Sequence, residues 1–245
     1  MTIQQLLSPM RRAIQDFDMI QAGDKIAVGV SGGKDSLVLL TLLKAYQRFA
    51  DKPFELMAVT IDMGFADDTF APIEEYCKQI GVEYHIVKTD IAEIIFDVRK
   101  ESNPCSLCAK MRRGALNSAI VERGYTKLAL GHHQDDVVET FMLSLFHEGR
   151  LNTFQPKSYM DRMGVTLIRP MIYIEERDIL GLAQDMPVVK NPCPADEHTE
   201  RESMKQILRD LAEKYPNIRQ KFANAIMHPE RYNLFDKFQK EKDLF

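Results

Sequence analysis

The sequence predicts an α/β fold built on a doubly wound, mostly parallel sheet, with helical segments at its N- and C-terminal ends. Short apolar runs rich in β-branched residues alternate with longer segments whose apolar residues recur at helical spacing. This alternation is typical of parallel strands joined by crossover helices. Ligands of such sheets bind beyond the carboxyl ends of the strands, so the polar residues that follow each strand are the first candidates for a site.

The composition indicates a globular protein that buries a core. Of the 245 residues, 45% are hydrophobic and 28% are charged, and no apolar run is long enough to span a membrane. Pro9, Arg11 and Arg12 interrupt the N-terminal apolar stretch, which argues against a signal-peptide core, and we expect a cytoplasmic protein. The net charge of −4 argues against a surface covered by nonspecific nucleic-acid contacts, although five basic residues cluster within 99–113.

The predicted elements follow from two periodicities. Apolar runs bounded by glycine, proline or acidic residues predict strands at residues 25–30, 54–61, 82–87, 127–130 and 165–168. Apolar residues at helical spacing, several of them ending at glycine, predict helices at residues 2–20, 35–50, 72–80, 109–122, 137–147, 175–183, 199–215 and 217–227. We expect one main domain at 23–190, a helical segment before it at 1–22, and a C-terminal segment at 191–245.

A glycine-rich segment between the first strand and the second helix carries the strongest functional signal. Its residues are Ser31, Gly32, Gly33, Lys34, Asp35 and Ser36. Adjacent glycines let the backbone approach an anion, and the N–H groups of the first helical turn point toward it. Lys34 adds a positive charge and Asp35 a carboxylate suited to magnesium, so we expect a metal-bound polyphosphate. The spacing of the glycines does not match the Walker motif or the dinucleotide-binding glycine motif. A simple helix cap would need only one polar residue, so capping alone does not account for this segment.

Two other predicted strands end in polar residues. Asp62 follows the second strand, where an acidic residue either contacts a nucleotide or caps a turn. The strand at 127–130 leads into a second polar group, made of Gly131, His132, His133, Gln134, Asp135 and Asp136. The two carboxylates fall in the first turn of the next helix, where the helix dipole favours them. A histidine and two carboxylates exceed what capping requires, and we expect magnesium or nucleotide contacts, first from Asp135.

Three of the four cysteines suggest a metal site. Cys105 and Cys108 form a C-x-x-C in a proline-bent turn before a predicted helix, and Cys193 lies in a second proline-bounded turn. Cys77 falls in an apolar helix and is expected in the core. Three thiolates leave a tetrahedral zinc site incomplete unless His198 or Cys77 completes it, whereas they leave one iron of a [4Fe–4S] cluster open to hydrosulfide. Spacing alone leaves cluster, zinc and redox use equally open.

Two of these segments resemble a known superfamily. The glycine-rich segment resembles the pyrophosphatase loop (PP-loop) of the N-type ATP pyrophosphatases, and the segment at 131–136 matches the G-H-x-x-D-D of the tRNA-modifying PP-loop enzymes. The resemblance implies a Rossmann-like fold of the adenine nucleotide alpha hydrolase type. It also implies ATP as substrate, pyrophosphate and an adenylate as products, and nucleotide contacts from both segments.

The order of motifs narrows the resemblance to the tRNA 2-thiocytidine synthetase family. Over residues 26–193 the motifs follow that family's order: the cysteine pair comes first, then the G-H-x-x-D-D segment, and then Ile168-Arg169-Pro170. The resemblance implies ATP, Mg²⁺ and a [4Fe–4S] cluster bound by Cys105, Cys108 and Cys193. It implies that these cysteines, with Lys34 and Asp35, carry the reaction on a tRNA anticodon loop. The second cysteine that many members have shortly after the third ligand is missing.

The mechanism implied by this resemblance has two steps. The 2-oxo group of a cytidine attacks the α-phosphorus of ATP, and sulfide then displaces AMP. A cysteine desulfurase or free sulfide would supply the sulfur. The tRNA phosphates would be held by Arg112, Arg113 and the basic segment at 150–169. We also expect a homodimer. Three alternatives stay open. The protein could be a 2-thiouridine synthetase with the same chemistry or a lysidine synthetase. It could also be an ATP-binding iron–sulfur protein that carries sulfur and does not act on RNA.

Overall fold

The computed structural model describes residues 1–65, 70–101, 104–189, 193 and 200–234. Within these ranges one sheet contains the strands β1 (Asp24–Gly29), β2 (Phe54–Asp62), β3 (Glu83–Lys88), β4 (Lys127–Ala129), β5 (Lys157–Met160) and β6 (Val165–Ile168). The strand order is β3-β2-β1-β4-β6-β5, and every pair is parallel except β5 with β6. The chain therefore crosses from one half of the sheet to the other between β3 and β4, as the predicted doubly wound fold requires.

Eight α-helices surround the sheet in the described part of the chain. They are α1 (Ile3–Asp16), α2 (Lys34–Gln47), α3 (Ala71–Ile80), α4 (Pro104–Glu122), α5 (Gln134–Glu148), α6 (Glu176–Ala183), α7 (Glu200–Lys214) and α8 (Ile218–Met227). A π-helical segment at Glu93–Val98 and a 3₁₀ turn at Pro229–Arg231 complete the elements. None of the helices described is long and apolar enough to cross a membrane.

The two faces of the sheet bury separate hydrophobic clusters. In β1, Ile26 and Val28 face one cluster and Ala27 the other, as the two-residue period of a strand requires. Helix α2 is buried almost all round, because α1, α6 and the sheet all pack against it. Each of its fully buried leucines contributes about 1.5–3 kcal/mol to folding. The first turn of α2 is therefore held rigidly beside the strand ends.

The N-terminal helix packs on the core of its own chain. Leu6, Leu7 and Met10 are buried, and the Thr2 hydroxyl accepts the backbone N–H of Gln5 to cap the helix start. The apolar face of α1 is thus covered within the chain. The predicted homodimer stays a prediction, and this face does not provide its interface.

Besides the π-helical segment at Glu93–Val98, which was not predicted, the structure differs from the predicted elements at the start of α4 and at β5. The prediction placed both cysteines of the C-x-x-C in a turn before the helix, but α4 begins at Pro104 and includes Cys105 and Cys108 in its first turns. Proline is well suited to the first position of a helix because its missing N–H has no intrahelical partner there. The segment at 150–164, predicted as loop, contains β5, an antiparallel edge strand paired with β6. β5 reads Lys-Ser-Tyr-Met, with no β-branched residue and none that is buried, so it lacks the apolar run that predicted the other strands.

Candidate active site

The glycine-rich segment forms a tight cradle between β1 and α2. Gly32 has φ of +86°, a left-handed conformation that favours glycine, and Gly33 is the N-cap residue of α2. The Ser36 hydroxyl accepts the backbone N–H of Ser31 at 3.1 Å and donates to the Gly33 carbonyl at 2.8 Å. Gly32 O accepts the N–H of Val189 at 3.0 Å. The cradle is therefore fixed in shape before any anion binds.

A cavity of about 620 Å³ opens beside this cradle. Side chains from the ends of β1, β2, β4 and β6 form its apolar floor, and α4 forms one wall. The polar and charged residues that line it are Ser31, Asp35, Ser36, Arg112, Arg113, His132, Asp136, Arg169 and Arg201. The cavity thus brings together the two predicted polar segments and four arginines, an arrangement suited to a phosphate ester with a planar base.

Lys34 is held by acidic groups from two elements. Its Nζ lies 3.3 Å from Asp35 Oδ2 and 3.0 Å from Glu176 Oε1 at the start of α6. Burial lowers the pKa of Lys34, but the two carboxylates outweigh burial and hold the pKa above its ordinary value. Burial also opposes ionisation of Glu176, yet Lys34 and Lys205 lower its pKa to about 2. Lys34 is therefore charged and paired with Glu176.

The two carboxylates after β4 are tied to the C-terminal helices. Asp135 Oδ2 accepts the N–H of Glu176 at 2.7 Å, and its Oδ1 lies 3.0 Å from Nη1 of Arg219 on α8. Asp136 accepts the N–H of His133 at 3.0 Å and pairs with Arg201 of α7 at 2.6 Å. Asp136 faces the cavity and Asp135 does not line it. The predicted contact to nucleotide or magnesium stays a prediction for both, with the geometry favouring Asp136.

Asp62 lies at the end of β2, as predicted, with its carboxylate turned to the backbone. Its Oδ1 accepts the N–H of Gly64 at 2.9 Å, which caps the turn after the strand. Val59 and Ile61 of the same strand line the cavity, whereas Asp62 is absent from its lining. A nucleotide contact from Asp62 stays a prediction.

The cysteines of α4 lie in its first turns, before the residues of that helix that line the cavity, and Cys193 lies near Cys108. Burial raises the pKa of the Cys108 thiol, the Arg112 guanidinium lowers it, and the thiols of Cys193 and Cys105 raise it further. Cys108 Sγ also lies 3.5 Å from the Met63 sulfur. Three thiols are a donor set that fits an iron–sulfur cluster, but within the described ranges no group of three metal-ligating side chains is already arranged around one point.

The structure describes one of the two residues that could complete a zinc site. Cys77 is fully buried in α3, where burial raises its pKa to about 11, so its predicted place in the core is confirmed. His198, the other candidate to complete a zinc site, lies outside the described residues. Burial in the core therefore removes Cys77 as a fourth zinc ligand.

Burial shifts the pKa of two groups near the end of β4 and the start of α5. Burial lowers the pKa of His132 to about 4, so the ring is neutral at neutral pH, and its Nδ1 has no hydrogen-bond partner. Burial raises the pKa of Glu139 on α5 to about 7. Glu139 was not predicted as a site residue, and neither were Glu176, Arg201 and Arg219. The packing of α6, α7 and α8 brings Glu176, Arg201 and Arg219 to the site, which leaves no local signal in the sequence. Glu139 lies on α5, one helical turn after Asp135.

Comparison with known proteins agrees with this architecture. The family model of the PP-loop domain matches residues 4–211. A tRNA-cytidine(32) 2-sulfurtransferase of Geobacter metallireducens is 38% identical over 231 residues, covering 92% of this chain and 90% of its own. The enzyme of the same name from Syntrophotalea carbinolica is 40% identical over 230 residues, covering 92% and 89%.

A solved structure resembles the fold over nearly the whole chain. The U34-tRNA thiolase NcsA of Methanococcus maripaludis, solved with its [4Fe–4S] cluster, superposes with a TM-score of 0.73 at 27% identity. The match covers 94% of this chain and 80% of that one. The length and identity of the sequence matches show that the chain belongs to the PP-loop family and, within it, to the tRNA-cytidine(32) 2-sulfurtransferases.

Proposed function

We propose that the protein uses ATP to activate the 2-oxo group of a cytidine in a tRNA anticodon loop and replaces that oxygen with sulfur, giving 2-thiocytidine. One observation carries the proposal: helix α4 lines the cavity of the phosphate cradle with Arg112 and Arg113, and bears Cys105 and Cys108 in its first turns. The sequence relatives are named tRNA-cytidine(32) 2-sulfurtransferases, which supports position 32 as the target.

The cradle is suited to hold the outer phosphates of ATP. N–H groups of the first turn of α2 and the serine hydroxyls would donate to phosphate oxygens, and Lys34 would exchange Glu176 for them. Asp35 Oδ1 is buried, makes no hydrogen bond within the described residues and lies 3.3 Å from Lys34 Nζ. Once Lys34 turns to the phosphates, this oxygen would be free to bind a magnesium ion held by them. Asp136 would complete such a site only by giving up Arg201.

The first chemical step is the transfer of AMP to the base. The cytosine 2-oxygen attacks the α-phosphorus, a new P–O bond forms, and the bond to the leaving pyrophosphate breaks. Lys34 and the loop N–H groups stabilise the negative charge that grows on pyrophosphate. The 2-oxygen thereby becomes part of a good leaving group, AMP.

The second step forms the carbon–sulfur bond. Sulfide adds to C2 of the activated base, the C2–O bond then breaks, and AMP departs with the former 2-oxygen. A [4Fe–4S] cluster, when bound by Cys105, Cys108 and Cys193, would supply the site at which sulfur is held. The residues of this chain bring that site to the wall of the cavity, because Cys108 lies one helical turn before Arg112.

Arginines of α4 are suited to bind the RNA backbone. Arg112 and Arg113 line the cavity and form no ion pair with a carboxylate in the part of the chain that the structure describes. Unpaired guanidinium groups bind phosphates through two parallel hydrogen bonds. Bases of an anticodon loop are single-stranded and can be turned outward into a pocket. A local basic wall thus serves tRNA binding despite the net negative charge.

The close approach of Gly131 to α2 provides a test of the cradle. A Cβ at this position would lie 3.0 Å from the carbonyl carbon and oxygen of Asp35 and from the Ser36 nitrogen. Backbone must shift to relieve this contact, and misplacing the cradle should lower pyrophosphate release in Gly131→Ala at least about 10-fold. Gly114→Ala is the control, because its Cβ meets nothing within 4 Å. Equal rates for the two variants would show that the cradle does not need this contact.

Reconstitution under anaerobic conditions tests the proposed function directly. The purified protein with iron and sulfide is supplied with ATP and unmodified tRNA, and nucleosides are measured by mass spectrometry alongside pyrophosphate. We expect 2-thiocytidine, with at least one pyrophosphate per sulfur incorporated, and no product without ATP. A 2-thiouridine product would keep the chemistry and change the base. Pyrophosphate release without any thionucleoside would argue for the alternative that RNA is not the substrate.

A further inference from the structure

Arg169 at the end of β6 is a buried cation that the phosphate cradle does not use. It is 8% exposed and lines the same cavity as the cradle. Its Nη1 donates to the Gln155 carbonyl at 2.6 Å, while its Nε is shielded from solvent and has no hydrogen-bond acceptor. Within the described residues no carboxylate pairs with it. A buried donor without an acceptor is costly unless a ligand supplies one.

The orientation of this guanidinium is fixed by an aromatic ring. Its carbon lies 4.9 Å from the centre of the Phe154 ring, and that ring lies 4.9 Å from the ring of His132. Contact with the ring limits the movement of the guanidinium, which is planar by resonance and can present its donors to the edge of a planar group. The neighbours on the cavity floor are Leu130 and Leu167, which suit a base better than a phosphate.

The position of Arg169 in the sheet also separates it from the phosphate cradle. The cradle follows β1, and β4 lies between β1 and β6 in the sheet. Two strand spacings place the end of β6 about 10 Å from the end of β1. ATP bound by its outer phosphates at the cradle therefore leaves room for a second planar group beside Arg169.

We propose that Arg169 selects cytosine by donating hydrogen bonds to N3 and O2 of the target base. This inference rests on the proposed function and names the residue that reads the base. A guanidinium has donors only. Cytosine presents two acceptors on this edge, N3 and O2, whereas uracil presents an N3–H that would oppose the arginine donor. The protein therefore accepts cytosine and rejects uracil at this site.

The same contact assists the second step of the reaction. When sulfide adds to C2 of the activated base, electron density moves from the C2=N3 bond onto N3. A donor already aimed at N3 stabilises that charge more strongly than it stabilises the bound cytosine. Arg169 is thus expected to affect turnover as well as the choice of base.

The experiment compares tRNAs that differ in a single acceptor. Synthetic tRNA carries cytidine, 3-deazacytidine or uridine at the target position, and thiolation rates are measured for the wild type, Arg169→Lys and Arg48→Lys. 3-Deazacytidine lacks the N3 acceptor and keeps O2. Arg48 is exposed at the far end of α2 and serves as the matched control.

We expect the wild type and Arg48→Lys to prefer cytidine over either other base by about 10- to 100-fold, the discrimination typical of one bidentate contact. Arg169→Lys should reduce that ratio to within about 3-fold and leave the KM for ATP unchanged. An unchanged base ratio in Arg169→Lys, or a loss of ATP affinity in place of base selectivity, would overturn the inference.

A wild-type measurement keeps the test valid if Arg169→Lys does not fold. Equal rates on cytidine and 3-deazacytidine tRNA would by themselves rule out a hydrogen bond to N3. Failure of the proposed function has a different signature, because the wild type would then produce no thionucleoside from any tRNA.

Discussion

Replacing Cys108 with alanine is expected to abolish sulfur incorporation while tRNA-dependent pyrophosphate release continues. Cys108 is the thiol that the structure places beside both Cys105 and Cys193, since both act on its pKa. Its loss leaves two thiols, too few to retain a [4Fe–4S] cluster. Removing a ligand of a metal centre lowers activity by more than about 100-fold. The thionucleoside and pyrophosphate are measured in the same reaction.

Cys77→Ala is the matched control for this variant. Cys77 is fully buried in α3, on the opposite face of the sheet from α4, so its thiol has no access to the cavity. We expect thiolation at the wild-type rate. The absorbance of the bound iron should be lost in Cys108→Ala and kept in Cys77→Ala. Full thiolation by Cys108→Ala would contradict the role of these cysteines.

Replacing Lys34 with methionine should stop the reaction one step earlier. Methionine keeps much of the side-chain length and removes the charge that would move from Glu176 to the leaving phosphates. Losing one preorganised donor to a developing charge lowers turnover about 10²- to 10³-fold. Pyrophosphate release and thiolation should therefore fall together, unlike in Cys108→Ala.

The control for Lys34 is the other lysine of the same helix. Lys44 near the end of α2 donates to the Gly81 carbonyl at 2.9 Å, far from the cradle. Lys44→Met carries the same chemical change and should leave both products at wild-type levels. Wild-type pyrophosphate release by Lys34→Met would exclude Lys34 from the ATP site.

The fold could be predicted because its signals are local. An apolar run in β1 and helical spacing in α1 depend only on neighbouring residues, and the cradle at 31–36 is one continuous segment. Where a residue is compatible with two local conformations, the prediction from neighbouring residues was wrong or incomplete. Pro104 permits either a turn or a helix start, and only the packing of α4 on the sheet decides for the helix.

The parts of the site that could not be predicted depend on packing between distant segments. Arg201 lies 65 residues from Asp136 in sequence and reaches it only because α7 packs on α5. Arg219 and Glu176 meet Asp135 in the same way. A carboxylate pair after a strand predicts that something positive will bind there. It does not reveal that the chain itself supplies the positive charge.

Helix α4 joins the sulfur side of the site to the nucleotide side without a hinge. Cys108 and Arg112 are four residues apart on one helix, a separation of about 6 Å along the axis. An adenylated base is open to attack by water as well as by sulfide, and these two reactions compete for the same carbon. In the proposed reaction a single helix would set the distance to the sulfur, so that capture would not wait for a domain movement during which water could react first. The fraction of ATP lost to hydrolysis would then depend on how firmly α4 holds its cysteines relative to its arginines.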